Sequence, residues 1–289
     1  MLKSELLRKE SVIEHTENYW KSFDNINLYA QTWHASGKPK AVIHLIHDFN
    51  EHSSRFDSWA QQISNHGFTV RSFDLRGLGR SEGKRRDSSD YQKFLRDIES
   101  FIEQGKKEFP GIPVFLYGQG FGGNLAINYA IQQNLNISGL IVSSPCFEPV
   151  KKYSHSQIFL LHFLGTIFPA YLINIPLKAE DISRDLRVVY NYKNDPLIHN
   201  KISLRLAYQI IETGKKASMS IYKINVPLLV MHGCNDNVAS CKASKDFVRN
   251  ASERTTFIEW ERGFHELHND IDRDKVLDSV LTWLNKFTG

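Results

Sequence analysis

The chain has 289 residues, 41% hydrophobic and 24% charged, a composition that fits one large soluble α/β domain with an insertion. A net charge of +4 gives no basis for nucleic acid as a partner, and the basic run Lys84, Arg85, Arg86 reads as a solvated loop. Three cysteines without a C-x-x-C suggest neither a disulfide framework nor a zinc site, and fit reduced thiols in a cytoplasmic protein.

The first residues, "MLKSELLRKESVIEHTENYW", scatter charge and lack an apolar stretch of signal-peptide length. Next, "YWKSFDNINLYAQTWHA" (19–35) reads as an antiparallel strand pair turning at Asp24 and Asn25. Strand-like runs follow at 41–49, 68–77, 113–118, 138–145, 227–233 and 255–261, each short and rich in β-branched or aromatic residues. Helical patterns lie between and after them, at 53–66, 91–108, 122–135, 242–252 and 271–287. That alternation predicts a mostly parallel sheet covered by helices on both faces.

The rhythm breaks once. Between Pro145 and Pro227 about eighty residues carry helical patterns without a clear strand. They read as a helical cap, residues 146–225, inserted over the sheet's C-terminal edge in a core formed by 1–145 and 226–289. Open α/β folds place their ligands at that edge. Within the insertion, "IFLLHFLGTIFPAYLINI" (158–175) has eighteen residues without a formal charge, at the lower limit of spanning length. Gly165, Pro169, His162 and Asn174 interrupt it, so an apolar helix pair, a packed cap element or a greasy lid is expected there rather than a membrane span.

The stretch "PVFLYGQGFGGNLAINYA" (113–130) poses the functional question. Gly118, Gly120 and Gly123 spell G-x-G-x-x-G, the dinucleotide fingerprint. That motif belongs in the first βα unit, with an acid about twenty residues on at the next strand end. Here three strands come first and the next one ends in Ser143, Ser144 and Pro145, so no nucleotide cofactor is expected, nor any metal. The alternative is G-x-S-x-G with its serine missing at Gly120. A nucleophile elbow predicts an acid and then a histidine at later strand tips. Asp236 follows "PLLVMHG" and His265 follows "TTFIEWERG", in that order. His268, three residues on, is the weaker base.

Longer stretches carry a resemblance to a known family. "HDFNEHSSRF" (47–56) is like H-G-x-x-E-H-S-x-R-[YF], "FDLRGLGRSEGKR" (73–85) like D-x-R-G-H-G-x-S-x-G-x-R, and "GQGFGGNLA" like G-H-S-M-G-G. "DISRDLRVVYNYKNDPLIHNKIS" (181–203), "VPLLVMHGCND" (226–236) and "GFHELHND" (263–270) are similar to family stretches too. From about residue 18 to its end the chain resembles the monoacylglycerol lipase/lysophospholipase branch of the α/β-hydrolases, among the serine aminopeptidase S33-type hydrolases. The resemblance implies an α/β-hydrolase fold with a cap, and cleavage of acyl glycerol or lysophospholipid esters. It implies Asp236 and His265 as acid and base, with the N–H groups of Phe49 and Phe121 lining the oxyanion hole. Transient contact of the cap with a membrane surface would go with such substrates.

Three departures set this chain apart. Gly120 has no side chain to attack an ester carbonyl, so no acyl-enzyme forms there; glycine also accepts the elbow's backbone at little cost. Asp48 stands where the family has glycine after histidine. A charge about 4 Å from a developing oxyanion opposes it by roughly 4 kcal/mol at an effective dielectric near 20, about three decades in rate, provided it is ionised and faces the hole. Leu78 replaces the histidine of R-G-H-G. Ser143, Ser144 and Asp48 offer no substitute elbow nucleophile, Asp48 being on another strand. Three readings remain open: a silent lipase-type fold that binds acyl lipid, an esterase using water activated by the Asp236–His265 dyad, and a non-enzymatic interaction protein on a hydrolase shell.

Overall fold

The computed structural model describes residues 14–84, 90–132, 137–249 and 251–288. The leading segment, the second half of the basic run, and positions 133–135 of the expected helix lie outside the described residues.

β1 (His15–Lys21) and β2 (Asn27–Trp33) form the expected antiparallel pair, with Asn25 in the left-handed region at φ 65° in the turn. Then follow β3 (Val42–Ile46), a short 3-10 turn at Ser53–Phe56, α1 (Asp57–Asn65), β4 (Thr69–Phe73), α2 (Tyr91–Glu108) and β5 (Val114–Gln119). α3 (Gly120–Gln132) starts on the residue after β5, and β6 (Gly139–Ser143) comes next. The segment after β6 holds α4 (His155–Ile167), β7 (Leu172–Asn174), α5 (Leu186–Asn194), β8 (Lys201–Ser203) and α6 (Leu204–Ser218). The chain then returns to the sheet with β9 (Leu228–Gly233), α7 (Cys241–Val248), β10 (Thr255–Trp260) and α8 (Arg273–Asn285).

The main sheet runs β1-β2-β4-β3-β5-β6-β9-β10. β2 meets β4 antiparallel, and every pair from β4 to β10 is parallel. Successive strand residues alternate between two separate cores. Leu116, Val142 and Val230 join the cluster that α2 and α3 cover, through Phe94, Ile98 and Leu125. Phe115, Ile141, Leu229 and Met231 join the other, against Trp59 and Ile63 of α1 and Val280 and Leu284 of α8. Strands buried on both faces read as continuous apolar runs, which is why they stood out in the sequence. Leu78 is buried in the first cluster.

Residues 158–175 are not the helix pair anticipated. α4 ends at Ile167, before Pro169, and the chain continues into β7, which pairs antiparallel with β8. Proline cannot continue a helix, and a three-residue strand leaves no periodic trace in the sequence. Among the described residues, no helix is long and apolar enough to cross a membrane.

Candidate active site

The β5–α3 junction is a turn without a loop. Gly120 sits at φ +54°, and a Cβ on Gly122 would lie 2.2 Å from the carbonyl oxygen of Ile46 on β3. Such contact between neighbouring backbones tolerates no side chain at 122. At 120 the positive φ tilts the backbone so that the N–H of Phe121 faces the end of β3.

Asp236 lies beyond the tip of β9. Its Oδ1 accepts from the N–H groups of Val238 (2.7 Å) and Ala239 (3.0 Å), which fixes the carboxylate, and its Oδ2 lies 2.7 Å from Nδ1 of His265 in the loop after β10. Burial opposes ionisation of Asp236, but the charge of His265 and hydrogen bonds from His232 and His265 hold its pKa below the ordinary carboxylate range. The acid and the base named from strand order are therefore in contact.

The second partner of the His265 ring is unexpected. Its Nε2 lies 2.9 Å from Oδ2 of Asp48, while Oδ1 of Asp48 accepts from the N–H of Phe49 (2.7 Å) and of Phe121 (2.6 Å). A Cβ built on Gly120 would fall 2.3–2.4 Å from Cγ, Oδ1 and Oδ2 of Asp48. The carboxylate thus fills the volume that a side chain at position 120 would take and also occupies the N–H groups of Phe49 and Phe121. Asp48 follows β3, a different strand from the elbow's β5, as expected; it reaches the turn because Ile46 of β3 pairs with Gly118 of β5, so the two strands end side by side at one rim.

Each nitrogen of His265 faces a carboxylate, an arrangement that suits the imidazolium. Burial alone would depress its pKa, but the Asp236 charge, the hydrogen bonds to Asp236 and Asp48, and the Asp48 charge raise it well above the usual histidine value. Asp48 in turn is lowered: burial opposes its charge, and the His265 contact with the two backbone donors outweighs it.

A shell of polar residues holds Asp48 in place. Its N–H donates to Glu51 Oε1 at 2.9 Å, and Glu51 Oε2 accepts from Arg55 Nε at 2.8 Å. Arg55 also bonds to Glu266, next to His265. Burial and the neighbouring Glu266 push the Glu51 carboxyl up to about 8. His47 accepts from the N–H of Leu75 at Nε2, so its Nδ1–H donates to the carbonyl of Asp48. The spacing of Glu51 and Arg55 in "HDFNEHSSRF" was visible; its pairing with Glu266 was not.

Other candidates fall away. His268 stacks on Phe56 with ring centroids 4.0 Å apart, and burial lowers its pKa well below the usual value; it belongs to the core. Ser143 and Ser144 are buried at the end of β6. Cys146 escaped the sequence reading. Its Sγ and the donor atoms of Asp48 and His265 lie within 4.8 Å of one another, but burial and the two nearby carboxylates raise its pKa well above the ordinary thiol value, and a thiol is not the reactive form. An O, N, S donor set suits zinc, yet Nε2 and Oδ2 already satisfy each other. Cys234, Cys241 and Glu259 form a second such cluster, where Lys245 pairs with Glu259.

Asp48 opens onto an apolar cavity of about 420 Å³, within the range of small-molecule sites. Phe121, Phe147, Ile158, Leu161, Leu164 and Ile210 line much of it, with Cys146 beside Asp48. Residues of α4, β7, β8 and α6 contribute much of its lining.

A strand–turn–helix elbow, a following acid–histidine pair and paired N–H donors at one sheet edge are the features by which hydrolases of this architecture are recognised. The family model for serine aminopeptidase, S33, matches residues 37–272. The chain belongs to that α/β-hydrolase family. A monoglyceride lipase homolog of monkeypox virus is 31% identical over 266 residues, covering 91% of this chain and 96% of that protein. An uncharacterized abhydrolase domain-containing protein of Dictyostelium discoideum is 32% identical over 267 residues, which are 91% of this chain and only 28% of that longer protein. The crystal structure of Paleococcus ferrophilus monoacylglycerol lipase superposes with a TM-score of 0.82 at 27% identity, covering 90% of this chain and 99% of that one. The S33 core is thus retained here around an elbow that carries glycine.

Proposed function

We propose that this chain binds an acyl glycerol or lysophospholipid in the cavity beside Asp48 and does not hydrolyse it through a serine ester. Residues 146–225 act in this reading as a cap, with Asp236, His265 and the Phe49 and Phe121 N–H groups as the remnant of a serine-hydrolase site. The observation that carries the proposal is the placement of Asp48. Its carboxylate takes the position opposite His265 that a hydroxyl would need and the donors that a substrate oxyanion would need.

The relatives bearing monoglyceride lipase names support the ligand class, and the apolar lining supports the acyl chain. An esterase based on water and the Asp236–His265 dyad is disfavoured by the same geometry. Nε2 donates to Asp48, so it has no lone pair for a water, and a carboxylate in the oxyanion site repels the charge that hydrolysis develops. A non-enzymatic interaction protein would need no apolar cavity.

The test is ligand stabilisation measured with 1-O-hexadecylglycerol, an ether that no esterase cleaves. At about a hundredfold excess over Kd, binding adds roughly 2.7 kcal/mol, an upward melting shift of about 4 °C for a domain of this size. Ala207→Trp, which fills part of the cavity wall, should abolish the shift. Monoolein should be turned over at the buffer rate. No shift with the ether, or robust monoolein hydrolysis lost on His265→Ala, would overturn the proposal.

A further inference from the structure

We propose that Asp48 is itself a nucleophile, for an electrophilic sp3 carbon rather than an ester carbonyl, and that the site hydrolyses a long-chain alkyl epoxide to its diol. This activity lies beyond the acyl-lipid reading and rests on the same apolar cavity to hold the alkyl tail.

The division of labour between the two carboxylate oxygens carries the inference. Oδ1 is held by the N–H groups of Phe49 and Phe121, at 2.7 and 2.6 Å. Oδ2 faces His265 Nε2 at 2.9 Å. The side chain is 19% exposed and forms part of the cavity wall, so it is reachable from the apolar side. With its donors already engaged by Oδ1, the site has none left for the oxyanion of a substrate ester. A carboxylate attacking such a carbonyl would also form a reactive mixed anhydride. Displacement at a saturated carbon develops no carbonyl oxyanion and needs neither donor.

The donors find their use in the second step. Oδ2 attacks one epoxide carbon, that carbon's bond to the ring oxygen breaks, and the ring oxygen takes the Nε2 proton of His265. The products are a hydroxyalkyl ester of Asp48 and a neutral imidazole, still oriented by Asp236. His265 then removes a proton from water as the water oxygen bonds to Cγ of Asp48. Negative charge develops on Oδ1, which already rests on two N–H groups, the requirement for stabilising a tetrahedral intermediate. The Cγ–O bond to the alkyl group breaks, the diol oxygen takes the proton from His265, and the new Asp48 acid returns a proton to His265. The sum is epoxide plus water giving diol, with carboxylate and imidazolium restored. Carboxylates serve as covalent nucleophiles of this kind in other enzymes, and here His265 supplies the acid of the first step and the base of the second.

The experiment uses the full chain with 1,2-epoxydodecane. Under single-turnover conditions in 18O-water, enzyme in excess, label is expected in the peptide that carries Asp48 and not in the diol, because the water oxygen enters the carboxylate first. Asp48→Asn, nearly the same shape, should reduce diol formation to the buffer background while keeping a single cooperative melting transition and the far-ultraviolet circular dichroism of the unmodified chain. Absence of diol from the unmodified protein, or label in the diol from the first turnover, overturns the inference. In either case a retained melting shift with 1-O-hexadecylglycerol leaves the acyl-lipid reading standing, and loss of that shift removes both.

Discussion

At the scale of single residues, positions 48 and 120 are one unit. Gly120→Ser places a Cβ 2.3 Å from Cγ of Asp48 and demands φ +54° of a residue that bears a side chain, so the carboxylate must swing away before the serine can sit. Asp48→Gly alone clears the donors but supplies no nucleophile. On monoolein and a short chromogenic ester we expect background rates from the unmodified chain and from Asp48→Gly, a small rise for Gly120→Ser, and a much larger one for the double variant. An ionised carboxylate near the oxyanion costs roughly 4 kcal/mol at an effective dielectric of about 20, so the double variant should exceed Gly120→Ser by about two to three decades. Equal rates for the two would show that Asp48 does not obstruct.

At the scale of elements, the helix above the cavity differs from those that cover the sheet. α2 buries Phe94, Ile98, Phe101 and Ile102 at helical spacing and is capped by Asp90, which accepts from the N–H of Gln92. α4 also has a sound start, a capping box between Ser154 and Gln157, yet of its thirteen residues only Gly165 is buried. Phe159 is 69% exposed, and Leu160, Phe163 and Ile167 are more than half exposed. A run of large apolar side chains on the surface marks a site of contact, and with the acyl-lipid ligand proposed above the fitting partner is a bilayer surface. Replacing Phe159 and Phe163 together with lysine should leave the melting temperature within about 2 °C, since little buried area is lost, and should weaken co-sedimentation with phosphatidylcholine vesicles containing monoolein. Unchanged sedimentation would remove the membrane role from α4.

At the scale of the whole molecule, the buried ionic site makes stability depend on pH. His265 has a folded pKa raised well above 6.5, so its contribution is complete below 6.5 and is lost as pH climbs through the folded value. Glu51 moves from 4.5 to about 8 on folding; the folded state binds more protons across that window, and stability again falls as pH rises through it. Asp48 and Asp236 shift the other way, below 3.8, so their contribution is present above that value and disappears as pH falls through the folded pKa. The melting temperature should therefore be highest on the acidic side and decline as pH rises, first through the Glu51 window from 4.5 to about 8 and further above 6.5 as His265 loses its contribution. Asp48→Asn, which removes one of the two charges facing His265, should flatten that decline. A flat profile in the unmodified chain would contradict the assigned ionic state.

The sequence by itself determined the parallel sheet, its two covers and the order of the site's parts. Strands buried on both faces must be apolar throughout, and a glycine turn, an acid and a histidine at successive strand tips leave a linear record. Tertiary structure alone decided that Asp48 fills the gap at Gly120, that Arg55 bridges Glu51 and Glu266, and that 158–175 divides into a helix and a strand. Those outcomes depend on which strand tips lie side by side and on contacts between residues as much as 217 positions apart. Spacing along the chain carries no trace of them, because a side chain's partner is set by the register of the sheet.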